Sequence, residues 1–173
     1  AFLAGALAGA VTGFLMTKLR IPGLLAGILV MTALYSINLR IMGKSNLSLI
    51  NTPRLTSLLS RYIDLPPFYD TIIMAFLILS VIIFLVSQFF KTEYGQSIIA
   101  TGDNEYMARS MGINTDMMKV IGLSLANGLV GLSGGLISQF NGYADISMGI
   151  GTLVIGLAGI LIAETFIPNL NMS

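Results

Sequence analysis

The feature that most constrains the fold is a run of about twenty residues, 71–90, that carries no charged side chain. A helix of that length rises about 30 Å, the thickness of the hydrocarbon layer of a bilayer. Hydrocarbon offers no partner to a backbone amide, so a single run of this kind can cross only as a helix. The sequence therefore predicts a transmembrane helix here. Its Ile, Leu and Phe content without glycine favours an outer, lipid-facing position.

Similar hydrophobic runs recur along the whole chain. Of the 173 residues, 55% are hydrophobic and 10% are charged, whereas soluble domains carry about 25% charged residues. We expect one all-α domain over residues 1–173, a polytopic α-helical integral membrane protein without a sheet and an internal fragment of a longer chain. The predicted spans are 1–17, 21–39, 71–90, 120–138 and 148–164.

Small residues in the first run indicate how two of the helices pack. Gly5, Gly9 and Gly13 recur every fourth residue, so they lie near one stripe of a helix and allow a neighbouring helix to approach closely. The alternative is that small residues merely recur in an Ala- and Gly-rich helix.

The stretch 40–70 is polar and too long for a tight turn. Apolar residues recur in it at helical spacing beside two arginines, which predicts an amphipathic interfacial helix between Asn51 and Ile63. A surface loop with a few apolar contacts is the alternative.

Residue types that are absent exclude several functions. The chain has no Cys and no His, which removes cysteine nucleophiles, thiolate zinc sites and histidine general bases. Its net charge of +1 and the lack of a basic cluster argue against nucleic acid as a partner. No phosphate-binding loop motif occurs, so we expect no cofactor on this chain and do not expect it to be an enzyme.

Residues 91–119 form a polar, charged segment between two predicted spans. Asp103 or Asn104 can cap a helix that has Glu105 in its first turn, Arg109 near its other end and Gly112 as a stop. The pattern predicts a helix of about two turns outside the membrane, beginning at Asp103 or Asn104. A helix this short is marginal alone, so we expect it to dock on something else. An ordinary connecting helix is the alternative.

The sequence of this segment resembles a pattern in permease subunits of bacterial ATP-binding-cassette importers, in the branched-chain amino acid and simple sugar group. The stretch that carries the resemblance is TEYGQSIIATGDNEYMARSMGIN. The matching residues are Thr92, Gly95, Ile98, Ala100, Gly102, Asn104, Ala108, Gly112 and Ile113. The resemblance extends from about Gly5 to Glu164, and the stretch 145–164 is similar to a sub-branch described as tryptophan and tyrosine transporters.

The resemblance implies an importer permease fold and a multi-pass protein of the bacterial plasma (inner) membrane that moves an amino acid or related small solute. It makes 91–119 the cytoplasmic coupling segment, which binds an ABC ATPase subunit. An extracytoplasmic substrate-binding protein and a second permease copy, in a homodimer or heterodimer, are the other implied partners. The candidate ATPase-docking residues are Gly102, Asp103, Asn104, Tyr106, Ala108, Arg109, Met111, Gly112 and Ile113. Of these we expect Tyr106, Ala108, Met111 and Ile113 to offer small or apolar surface.

Polar residues in and after the run 120–144 are candidates for the translocation path. Three glycines and Asp145 fall within residues 142–151, which predicts non-helical backbone facing protein or water rather than lipid. The candidate path residues are Asn127, Asn141, Tyr143 and Asp145. Alternatively, Asn141, Tyr143 and Asp145 merely cap helix ends. A membrane channel, an intramembrane enzyme or a scaffold without ATPase coupling are the competing functions at this stage.

Overall fold

The computed structural model describes residues 1–49 and 67–149, together with 151, 155–156, 158–159 and 161–162, which are helical. The interfacial helix expected between Asn51 and Ile63 lies outside the described residues. The elements are α1 (Phe2–Lys18), α2 (Gly23–Met42), β1 (Asn46–Ser48), α3 (Pro67–Phe90), α4 (Glu93–Asp103), α5 (Glu105–Ser110), α6 (Thr115–Asn141), β2 (Tyr143–Asp145) and a 3₁₀ helix (Ile146–Gly149).

Three described helices are long and apolar enough to cross a membrane: Gly23–Met42, Ile72–Phe90 and Thr115–Asn141. Helix α1 is apolar but shorter. The predicted all-α, polytopic fold class is thereby confirmed. Helix α6 extends beyond the predicted run 120–138 at both ends. It begins earlier because Asn114 caps a polar first turn, which a search for apolar residues cannot detect.

Helices α1 and α6 pack with their backbones in contact. A Cβ atom on Gly5 would clash with the carbonyl oxygen of Asn127, and one on Gly9 would clash with the carbonyl oxygen of Leu123. A Cβ atom on Gly13 would lie 2.8 Å from the Cα atom of Val120. As the residue numbers of the glycines increase along α1, the residue numbers of their partners decrease along α6, so the two helices are antiparallel. This confirms that the glycine stripe mediates close approach.

The expectation that the fold has no sheet is wrong in one detail. Strands β1 and β2 form an antiparallel pair in which Asn46 lies opposite Asp145 and Ser48 opposite Tyr143. The Leu49 amide donates to the Gly142 carbonyl at 2.8 Å, extending the ladder. Each strand has only three residues, too few to show an alternating pattern, and the pairing exists only because the ends of α2 and α6 lie side by side.

The connections place the two irregular regions at opposite ends of the helices. Helix α6 begins next to α5 and ends at β2, while α2 ends at β1. Because α1 is antiparallel to α6, its last residue, Lys18, lies toward the end that holds α5. We call this the α5 end and the opposite end, with β1 and β2, the sheet end.

Replacing Gly9 with Leu should destabilise the protein strongly, because the new side chain would meet backbone atoms of Leu123 and Ser124 that cannot turn away. Overpacking costs about 1–3 kcal/mol where side chains can adjust, so we expect a loss of about 3 kcal/mol or more. Unfolding in mixed micelles with increasing dodecyl sulfate measures it.

Gly134→Ala on α6 is the matched control, since nothing lies within 4 Å of a Cβ atom there. Alanine favours a helix over glycine by about 1 kcal/mol, so this variant should be as stable as the native protein or slightly more stable. A Gly9→Leu protein with native stability would show that the two backbones do not touch.

Candidate functional site

An elbow at the end of α3 sets the direction of the segment that follows. Thr92 caps α4, with its hydroxyl accepting from the Gly95 amide at 3.3 Å. A Cβ atom on Gly95 would lie 2.6 Å from the Cα atom of Phe90, so only glycine lets α4 fold back this closely on the end of α3. Two residues of the sequence pattern, Thr92 and Gly95, therefore build the bend.

Helix α5 is bounded by a cap on one side and a left-handed residue on the other. The side chain of Asn104 accepts from the Met107 amide at 3.0 Å, whereas Asp103 is the last residue of α4. Asn104 is therefore the cap, and the helix has six residues. Gly112 has φ 86°, a conformation that favours glycine, and it turns the chain into α6.

One face of α5 is covered by the protein itself. Ala108 is 1% exposed, and its carbonyl accepts from the Ile113 amide at 3.1 Å. The expectation that Ala108 offers surface to a partner is wrong, because the turn through Gly112 folds the start of α6 over this face. Ile113 is half-buried for the same reason.

A polar network joins this covered face to the first turns of α6. Lys119 Nζ lies 2.6 Å from Glu105 Oε2. Arg109 Nη2 lies 3.2 Å from Glu105 Oε1 and donates to Thr115 Oγ1 at 2.8 Å. Asp116 adds a more exposed contact to Arg109 at 3.4 Å. Arg109, a candidate docking residue, thus directs its charge at its own chain.

The network keeps Glu105 ionised. The hydrogen bond from Lys119 is the largest cause that lowers the pKa of Glu105 below its ordinary value of 4.5. Because the pKa of Glu105 is lower in the folded state than in the unfolded state, the contact stabilises the fold at pH values above the unfolded-state pKa. This stabilisation is lost as the pH falls through the folded-state pKa. The contact is therefore fully formed at neutral pH. Among the described residues, no group of three acidic, His or Cys side chains could hold a metal ion.

Three apolar side chains of α5 and of the residue that follows it are exposed. Tyr106 is 89% exposed, Met107 61% and Met111 69%. Met107 and Met111 are four residues apart, so they lie on one side of the turn. Gly102, Asp103 and Gly112 are exposed at its margins. The sequence analysis missed Met107, although its spacing from Met111 could have identified it.

A cavity of about 810 Å³ lies among α1, α2, α6 and the 3₁₀ helix. Helix α2 supplies most of its lining, with Tyr35, Ser36 and Asn38 toward the sheet end. Ala8 and Thr12 line it from α1, and Leu123 and Asn127 line it from α6. No Lys, Arg, Asp or Glu lines it, so the cavity suits a solute that carries a sizeable apolar part.

Of the four candidate path residues, only Asn127 lines this cavity. The side chain of Asn127 donates to the Leu123 carbonyl at 3.0 Å. The α-helix ends at Asn141, as expected for 142–151, but residues 146–149 then form a 3₁₀ helix. Asp145 caps this helix, accepting from both the amide and the hydroxyl of Ser147. The path roles of Asn141, Tyr143 and Asp145 stay predictions, and for Asp145 the geometry fits the capping alternative.

The sequence analysis missed most of the cavity wall. Ser36 and Asn38 are visible in the sequence as polar residues in a predicted span. Nothing local shows that α2 turns this part toward α6, because that orientation arises only when both helices pack on α1.

Comparison with known proteins identifies a protein family and several relatives that match this chain. The family described as "Branched-chain amino acid transport system / permease component" matches residues 1–168. The tyrosine transport system permease protein of Clostridioides difficile (strain R20291) is 46% identical over 165 residues, which cover 95% of this chain and 53% of that protein.

More distant relatives agree with this placement. An uncharacterised protein of Rickettsia prowazekii (strain Madrid E) is 37% identical over 172 residues, 99% of this chain and 59% of that protein. The autoinducer 2 import system permease protein of Yersinia enterocolitica is 28% identical over 158 residues, 87% of this chain and 40% of that protein. The chain thus spans about half the length of the relatives it matches. No solved structure matches it. The chain belongs to the family of permease components of branched-chain amino acid transport systems.

Proposed function

We propose that this chain is the membrane-spanning part of an ATP-driven importer of the bacterial inner membrane, with α5 as the helix that docks on a separate ABC ATPase subunit. The exposed apolar face of Tyr106, Met107 and Met111 is the observation that carries the proposal. ATP is bound and hydrolysed by the partner, and this chain holds no cofactor. An extracytoplasmic binding protein and a second permease copy complete the complex.

The form of α5 supports a docking role. Side chains as apolar as Met107 and Met111 are normally withdrawn from water, and here they lie beside charged residues at the end of a membrane bundle. Tyr and Met are enriched at protein interfaces, where a few anchors carry most of the binding free energy. With α5 in the cytoplasm, the sheet end faces the outside, where a binding protein would deliver the solute.

The cavity among α1, α2 and α6 supports a path for the solute. Its volume of about 810 Å³ is within the range of about 300–1,000 Å³ that is usual for small-molecule sites. The Tyr35 hydroxyl and the side-chain amide of Asn38 make no hydrogen bond within the described residues and are open to a solute. Helices α1 and α6 both line the cavity, so a movement of α6 would change its shape.

The cavity and the relatives support a proposal for the solute class. A wall without Lys, Arg, Asp or Glu, with one tyrosine ring, suits an amino acid whose side chain is apolar or aromatic. A relative at 46% identity is described as a tyrosine transport permease. We therefore propose an amino acid, with L-tyrosine as the first solute to test.

Met107→Ala should weaken binding of the ATPase subunit, because it removes an apolar anchor from the middle of the docking face. Truncating such an anchor costs about 2 kcal/mol, roughly thirty-fold in Kd. Titration of the ATPase subunit onto the permease in lipid nanodiscs measures the change.

Met117→Ala is the matched control: Met117 is also exposed but lies on α6 rather than on α5. It should leave binding unchanged. Native affinity in both Met107→Ala and Tyr106→Ala would overturn the docking role and favour a channel or a scaffold.

Tyr35→Ala should reduce ATP-driven uptake of L-tyrosine into proteoliposomes while the ATPase subunit still binds. The variant removes a ring and an open hydroxyl from the cavity wall, and one lost polar contact of about 1–3 kcal/mol corresponds to roughly five- to 150-fold in rate. Uptake of labelled L-tyrosine against L-leucine measures rate and selectivity together.

Tyr94→Ala removes an exposed tyrosine of α4 that does not line the cavity, so it should transport normally. In the same assay, the Asp145→Asn variant distinguishes a path role of Asp145 from a capping role, because the asparagine side chain keeps an oxygen that can accept from Ser147. Unchanged uptake in Tyr35→Ala and in Asn127→Ala would place the path elsewhere.

A further inference from the structure

We propose that Lys119 and Glu105 form a joint that makes α5 and α6 move as one body, so that a displacement of α5 reaches the cavity wall. The inference rests on the proposed function for its role in transport, but the joint itself is a property of this chain. Lys119 and Glu105 are positioning residues: they touch neither solute nor ATP.

The covalent connections of α5 do not fix its orientation. Asn104, at its start, is extended with φ −150° and ψ 100°, and the residues 111–114 that follow contain Gly112 in the left-handed region. Both ends can therefore act as hinges. A helix of six residues is also marginal by itself. Side-chain contacts with a longer helix must hold it.

The contacts that do so converge on Lys119 and Glu105. Their charged atoms lie 2.6 Å apart, the shortest ion pair of the network. The side chain of Lys119 is 25% exposed, against 59% for Arg109 and 52% for Asp116. Solvent screens exposed pairs most strongly, so the Lys119 contact is the strongest of the three. Glu105 lies in the first turn of α5 and Lys119 in the second turn of α6, so the pair spans the gap between the helices.

Two buried groups complete the joint. Thr115 is 1% exposed, and its hydroxyl accepts from both Nε and Nη2 of Arg109 and donates to Glu105. Ala108 is also 1% exposed, and its carbonyl accepts from the Ile113 amide in the turn that leads into α6. The buried face of α5 is thus joined to α6 and to this turn.

The joint leads directly to the cavity. Helix α6 is in backbone contact with α1 at Gly5 and Gly9, and such a contact has no flexible side chain that could absorb a shift. Asn127, on α6, lines the cavity opposite α2. A rotation of α5 would therefore be passed through Lys119 to α6, and from α6 to two walls of the cavity.

The first arm of the test measures the joint without any partner. The chain has no cysteine, so Ser110→Cys on α5 and Val130→Cys on α6 provide two unique sites for nitroxide labels. In nanodiscs, the distance distribution between them should be a single narrow peak. Lys119→Gln should broaden it, and Lys119→Arg, which keeps the charge, should restore it.

Two controls belong to this arm. Lys91→Gln neutralises an exposed lysine of the same segment that forms no ion pair among the described residues, and it should leave the peak narrow. The double variant Glu105→Gln with Lys119→Gln should be no broader than Glu105→Gln alone, since Glu105→Gln already removes the contact with Lys119. A narrow peak in Lys119→Gln would overturn the joint.

The second arm measures transmission in the complex with the ATPase subunit. Nitroxides at Leu3→Cys on α1 and Ile41→Cys on α2, both exposed and on two helices that line the cavity, should show a shift in distance between the nucleotide-free and ATP-bound states. The shift should be lost in Lys119→Gln and regained in Lys119→Arg. An undiminished shift in Lys119→Gln would overturn the transmitting role.

The two arms separate the inference from the proposed function. If the native protein binds no ATPase subunit, the proposed function and the transmitting role both fail, while the first arm still decides whether the joint exists. If the ATPase subunit binds and Lys119→Gln uncouples the shift without loss of binding, both are supported.

Discussion

The backbone contact between α1 and α6 is the interaction on which the rest of this structure depends. In lipid, helices gain nothing from hiding apolar side chains, so association rests on close packing. Gly5, Gly9 and Gly13 provide it by removing every Cβ atom from one stripe of α1. Helix α2 then packs on α1, and the cavity is the space that α2 leaves against α6.

Each end of α6 is attached to a different element. At one end Lys119 and Thr115 hold α5, and at the other β2 pairs with β1 and thereby ties α6 to the end of α2. Among the elements that the structure describes, helix α6 joins α5, α1 and the small sheet. Helix α3, by contrast, packs chiefly on α4 and leaves its apolar surface exposed. That contrast fits an inner α6 and an outer, lipid-facing α3.

Several residues that carry the family resemblance shape the backbone of the segment 91–119. Thr92 and Asn104 cap helices, and Gly95 permits the elbow. Ala108 is small because it is buried. The exposed apolar residues Tyr106, Met107 and Met111 do not belong to the matching pattern. The matching residues thus act mainly on the geometry of α4, α5 and the turns beside them.

The sequence by itself determined the features that depend on near neighbours. The uncharged runs predicted which segments form long helices, because a backbone amide in lipid must form its hydrogen bond within its own segment. A cap at Asp103 or Asn104, the stop at Gly112 and the glycine stripe of α1 were predictable for the same reason: a cap, a turn and a four-residue repeat are local, although only the structure chose Asn104 as the cap. Only the tertiary structure decided which face of α5 is covered, that Lys119 meets Glu105, that Asn46 meets Asp145, and that Tyr35 shares a cavity with Asn127. These contacts join different helices or distant loops, so they exist only after α1, α2 and α6 have packed and set the angles between them.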